Sequence, residues 1–162
     1  MKRRLLLIPA ALLALFLDAF VLPALSGNGI RPLFTLSLAM AATAATAVQD
    51  GMLIAVFGGL LTDLFCNPYL GLSAAAYLVA VVIMYGFVRK GVQRSGLLIP
   101  FALVGAVAAE AFVFVFSLAI GARFDAQRLL LSTLPSIVLE ALFTYPLAAL
   151  YRSREKGSSF HK

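Results

Sequence analysis

Histidine and cysteine are almost missing from this chain: His161 stands in a polar tail and Cys66 is the sole thiol. One thiol excludes an internal disulfide. One histidine and one cysteine cannot build a Cys/His metal site, and a triad resting on histidine is all but excluded as well. Charge is scarce too, at 12% of 162 residues, about half of what a soluble domain carries. No GxGxxG, P-loop, GxSxG or HExxH pattern occurs, and no loop is long enough to house a catalytic site. The expectation is a protein with no catalytic residue, no metal and no cofactor.

What the chain has in abundance is apolar sequence. Hydrophobic residues make up 62% and mean hydropathy is +1.01. Six apolar runs follow one another, at residues 5–25, 32–48, 52–66, 72–88, 97–120 and 129–151. A membrane span needs roughly 20 such residues. The first, fourth, fifth and sixth runs are long enough or nearly so; the second and third are short, and a re-entrant hairpin is their alternative. The expected fold is an all-α integral membrane protein, a bundle of about six transmembrane helices with helices 2 and 3 short. Residues 1–151 read as a single polytopic membrane domain and 152–162 as a basic polar cytoplasmic tail. The first run, behind Lys2, Arg3 and Arg4, has something of a signal peptide, with Ala24-Leu25-Ser26 as a loose cleavage site. It exceeds the usual apolar core of about 7–15 residues, so a retained span is favoured.

The net charge of +6 follows the membrane and not a nucleic acid. No basic stripe interleaves with aromatics. With six spans and the N-terminus inside, the inner segments hold ten of the 13 Lys and Arg, and the outer segments only Arg31, Arg123 and Arg128. That asymmetry places both termini in the cytoplasm. A hairpin made of runs two and three, entering from outside, leaves the parity unchanged.

Four acids fall within apolar runs: Asp18, Asp63, Glu110 and Glu140. Intramembrane acids are costly, by about 2.5–3.5 kcal/mol for Asp at a span centre on insertion scales, so each needs a reason. No Lys or Arg lies within the runs to pair with them. Around Glu140, residues Thr133, Ser136 and Thr144 recur at helical spacing as one polar stripe. On the fifth run Ala102, Ala106, Ala109, Glu110 and Ser117 form a narrow face that matches it. Such faces let helices approach closely and bond across to one another. The stripe of Glu110, Ser117, Ser136, Glu140 and Thr144 reads either as a polar path or as two neutral glutamic acids bonded inside a bundle. The second run carries Thr35, Ala39, Thr43, Ala47 and Asp50 on one face, a packing surface. Pro100, Pro135 and Pro146 are candidate bends. Asp63 has a local reading: it bonds backbone amides of the turn at Asn67 to Gly71, or the Ser73 hydroxyl.

The central segment carries a pattern. Arg31-Pro32 precedes an apolar run, Gly58-Gly59-Leu60-Leu61-Thr62-Asp63-Leu64 follows, and Leu70-Gly71 leads into the next span. This resembles the rod-shape-determining MreD family, in a G-x-L-x-x-D-like element followed by a Leu-Gly turn. The motif likeness covers about residues 31–87; elsewhere it rests on length and hydropathy. The resemblance implies a non-enzymatic subunit of the bacterial elongation machinery in the cytoplasmic (inner) membrane. Its implied partners are an MreC-like single-span scaffold, the RodA glycosyltransferase with its penicillin-binding transpeptidase, membrane lipids, and MreB filaments on the inner side. Asp18, Glu110 and Glu140 match no family position. Asp63 is the candidate site residue, with Gly59 one turn earlier on its face, Gly71 in the turn, Asp18 at a similar level and Arg31 as the nearest cation. An Arg31–Asp63 ion pair, shaping a surface read by the partner, is the expectation. The family's layout is also similar to the substrate-binding subunits of energy-coupling-factor vitamin transporters, which is the alternative; the short outer loops without Trp weigh against it.

Overall fold

A computed structural model describes Pro9 and residues 12–21, 33–66, 69–89, 98–121 and 126–158. Among them there is no strand. A π-helical turn, Leu17–Val21, is followed by five α-helices: α1 (Phe34–Ala45), α2 (Val48–Cys66), α3 (Leu72–Arg89), α4 (Leu98–Ala119) and α5 (Ala126–Ser158). Among the described residues four stretches are long and apolar enough to cross a membrane: Val48–Phe65, Leu72–Arg89, Leu98–Ala119 and Thr133–Leu150. That is the make-up of a multi-pass membrane protein.

Two expectations about the short runs change. The second run does yield a short helix, 12 residues in α1, about 18 Å long at about 1.5 Å per residue. The third run, however, is part of a 19-residue helix, long enough to cross a membrane. Gln49-Asp50-Gly51 looks like a break but lies inside α2, and the chain turns earlier, at Thr46 and Ala47. Asp50 falls in the first turn of α2, where a helix favours negative charge. Ala47 and Asp50 therefore leave the face they were expected to share with Thr35, Ala39 and Thr43. The helical backbone of α5 continues to Ser158 and does not stop at residue 151.

The interior of the bundle combines many alanines and polar side chains with a few large ones, among them Leu36, Met40, Tyr77 and Met84, while many large apolar side chains face outward. Every residue from Thr35 to Ala45 is buried, because α1 packs against α2, α3, α4, α5 and the π-helical turn. It has no single packing face; it is the core. The alanines Ala39, Ala41, Ala42 and Ala44 allow that close approach around the larger Leu36, Leu38 and Met40. Outside, Phe57, Leu64, Val82, Val115, Leu134 and Leu142 are exposed. In lipid such an exterior is solvated by the acyl chains, and packing is left to the interior.

Contacts fix the relative direction of neighbouring helices. Gly51 of α2 abuts Ala39 and Thr43, while Gly58 abuts Thr35. Rising numbers on α2 meet falling numbers on α1, so the pair is antiparallel. Eight residues of α2 beyond Gly58 then extend about 12 Å past the start of α1. The N-terminus of α1 is recessed in the bundle. Antiparallel packing also joins α3 to α4: Gly105 lies against the Ala80 carbonyl, and Phe87 stacks on Phe101 at 4.1 Å.

Candidate functional site

A helix start leaves backbone N–H groups without partners. In hydrocarbon each such group costs several kcal/mol, because no water replaces the missing acceptor. The recessed start of α1 raises this problem, and two carboxylates from distant parts of the chain meet it. Asp18 accepts from Phe34 N at 2.7 Å and from Thr35 N at 2.8 Å, one with each oxygen. Glu140 Oε1 accepts from Leu33 N at 3.1 Å. Three consecutive amides are thus held by the π-helical turn on one side and α5 on the other. Ser37 adds a bond from its hydroxyl to the Glu140 carbonyl, at 3.0 Å. The partial positive charge of the helix end favours the acids there.

The start of α3 is built the same way. Asp63, near the end of α2, accepts from Gly71 N at 2.8 Å and from Ser73 N at 3.0 Å. Gly71 has φ +93°, a left-handed conformation that glycine adopts without strain. One turn before Asp63, Gly59 touches backbone: a Cβ there would lie 2.6 Å from Ala74 N and 3.0 Å from Ser73 C. Gly59 lets α2 and α3 approach closely, and Asp63 locks the corner they make. Asp63 is 1% exposed, while Leu64, Phe65, Tyr69 and Leu70 on the rim of that corner are exposed.

The expected outer cluster is therefore split between two helix starts. Asp63, Gly59 and Gly71 form one corner; Asp18 holds the start of α1 instead of sharing the Asp63 carboxylate's partners. Arg31, and with it the expected ion pair to Asp63, lies outside the described residues, as do Asn67 and Pro68. On the expected stripe, Ser136, Glu140 and Thr144 are buried together along α5. Glu110 is half-buried and close enough to Glu140 to act on it electrostatically. The hydroxyls here turn back on their own helices: Thr144 donates to the Glu140 carbonyl and Ser117 to the Val113 carbonyl, each at 2.8 Å.

Sequence reasoning missed Tyr77 and Thr62. Tyr77, 1% exposed, lies within electrostatic reach of Asp18, Asp63 and Glu140. Thr62 donates to the Gly58 carbonyl at 2.9 Å and flanks Tyr77. The available signal was spacing: Ser73, Tyr77, Ala80, Val81 and Met84 recur as the buried face of α3. Comparison with protein-family models, curated proteins and solved structures finds no match. The functional reading rests on the residues themselves.

Proposed function

We propose that this chain is a non-enzymatic subunit of the bacterial cell-elongation machinery, resident in the cytoplasmic membrane with both termini inside. One observation carries the reading. Gly59, Asp63 and Gly71, three of the residues within the segments that carry the MreD resemblance, meet in a single corner between α2 and α3. This part of the motif is a close helix approach secured by a carboxylate. In this reading its exposed rim of Leu64, Phe65, Tyr69 and Leu70 is where a partner helix would replace lipid. Asp18, Asp63 and Glu140 each accept from main-chain amides, an arrangement that builds a scaffold. In this reading the partners are an MreC-like single-span protein and, through it, RodA with its transpeptidase; MreB lies across the membrane.

The test combines depletion with recovery of partners. Purified from its native membrane, the protein should bring with it a single-span protein bearing a coiled-coil domain on the outer side. Depletion should turn rods into swollen spheres. Normal shape together with lost uptake of a vitamin would overturn the proposal in favour of a transporter subunit.

A further inference from the structure

Three of the four acids within the apolar runs accept from main-chain amides: Asp18, Asp63 and Glu140. Glu110 does not. It stands near the middle of α4, half-buried, and among the described residues it has no hydrogen-bond partner. Glu140, close enough to act on it electrostatically, is occupied at one oxygen by Leu33 N. From Glu110 to its end at Ala119, α4 buries no residue. Lipid solvates the valines and phenylalanines there, but an acid at that depth calls for another polar group. Spacing says on which side it stands. Leu103, Val107, Glu110, Phe114 and Ser117 follow one another at intervals of four and three, the alternation by which two parallel helices pack. Leu103 and Val107 are exposed and the other three half-buried. This seam lies about a third of a turn from the buried face of Leu98, Ala102, Gly105 and Ala109.

We propose that a second copy of this chain docks on the seam, α4 against α4, with the two Glu110 side chains paired across a two-fold axis normal to the membrane. A carboxyl group in its neutral form carries both a donor and an acceptor, so two of them complete each other. Two-fold symmetry sets Glu110 opposite itself at equal depth with no further matching. A helix of another protein would have to carry a donor at that same depth. The axis also makes the two α4 helices parallel, as the spacing requires. Each copy thus supplies the group that the other's Glu110 lacks. The pairing rests on neither the elongation nor the transport reading.

Energy transfer between donor- and acceptor-labelled full-length chains in liposomes reads the balance of monomer and dimer as protein is diluted in lipid. Glu110→Gln, whose amide also donates and accepts, should leave the midpoint within about twofold. Glu110→Leu should move it to about tenfold higher protein density, the scale of a polar contact between membrane helices. In a Cys66→Ala background, a cysteine at Val107 should form an intermolecular disulfide on mild oxidation. One at Val82, exposed on α3, should not. The disulfide is read with Glu110 in place, so it decides the matter even where a Glu110 variant folds poorly. A wild-type chain that stays monomeric at every density overturns the proposal, the seam then belonging to lipid or to another protein. Equal disulfide yield at Val107 and Val82 overturns it too. So does an unchanged midpoint in Glu110→Leu; with thermal stability lowered as well, the carboxyl would serve its own chain beside Glu140.

Discussion

At Gly59 a single hydrogen atom separates a tight corner from a clash. Gly59→Ala sets a methyl group against backbone atoms of Ser73 and Ala74, which yield far less readily than a side chain tip. Overpacking of that kind costs typically 1–3 kcal/mol. Gly86, on α3, has nothing within 4 Å of a Cβ position. There alanine gains helix propensity, worth up to about 1 kcal/mol in water-exposed helices, so Gly86→Ala should be neutral or stabilising. Thermal unfolding of the two variants in one detergent checks the contrast, and equal midpoints would refute the close approach. Asp63 offers a graded series. Asp63→Asn keeps one acceptor and turns an amide NH2 toward a backbone donor; Asp63→Leu removes both acceptors. Expected losses are about 1–2 kcal/mol for Asn and about 3 kcal/mol or more for Leu, each lost bond to a charged acceptor being worth about 1.5–3 kcal/mol. If both variants stay stable yet no longer bring down the proposed single-span partner from native membranes, the corner is a surface that such a partner reads; if both still bring it down, Asp63 serves folding alone.

The element that organises the molecule is the smallest, α1, and it shows how far the sequence can be read. Its existence was legible from an apolar run rich in alanine, and the limits of α3 and α4 from the turns that flank them. Its surroundings were not: spacing picked out one packing face, at Thr35, Ala39 and Thr43, whereas α1 is buried on every face from Thr35 to Ala45. Gln49-Asp50-Gly51 misled for a local reason, as polar residues that commonly end a helix here begin one. At the site, Asp63 and Gly71 lie eight residues apart and the turn between them is a local feature, so its backbone bonds were accessible to reasoning. The Glu140 bond to Leu33 spans 107 residues, and no spacing rule reaches across that distance. This pairing yields a prediction about α1. Glu140→Gln preserves an oxygen for Leu33 N and should cost about 1 kcal/mol or less, whereas Asp18→Ala abandons two amides and should cost at least 2 kcal/mol, the upper range for lost caps in water. Amide exchange of Phe34 and Thr35 should quicken in Asp18→Ala while that of α4 stays slow. Uniform exchange across both helices would deny α1 its dependence on Asp18.

Whole-molecule topology turns on whether α1 completes a crossing. Its 12 residues span about 18 Å against about 30 Å of hydrocarbon, so alone it falls short. Its direction supplies the argument: α1 runs antiparallel to α2, and the turn at Thr46 and Ala47 sits at the end from which a 19-residue helix departs. A full crossing by α2 places that turn at one membrane surface and the Asp63 corner at the other. α3 returns and α4 sets out again, as their antiparallel contacts require. The shortfall of α1 then lies wholly at its N-terminus, where Asp18 and Glu140 satisfy the recessed amides. If the basic segments are inside, Ala47 belongs with Arg94 and Ser158 on the cytoplasmic side, and Tyr69 with Asp125 on the outer side. In a Cys66→Ala background, cysteines at Tyr69 and Asp125 should react with an impermeant thiol reagent in intact cells. Cysteines at Ala47, Arg94 and Ser158 should react only after permeabilisation. Ala47, which is exposed, is the discriminating position: were runs two and three a re-entrant hairpin, its turn would rest at mid-bilayer and stay unlabelled under both conditions. Labelling of Ser158 from outside would reverse the orientation altogether.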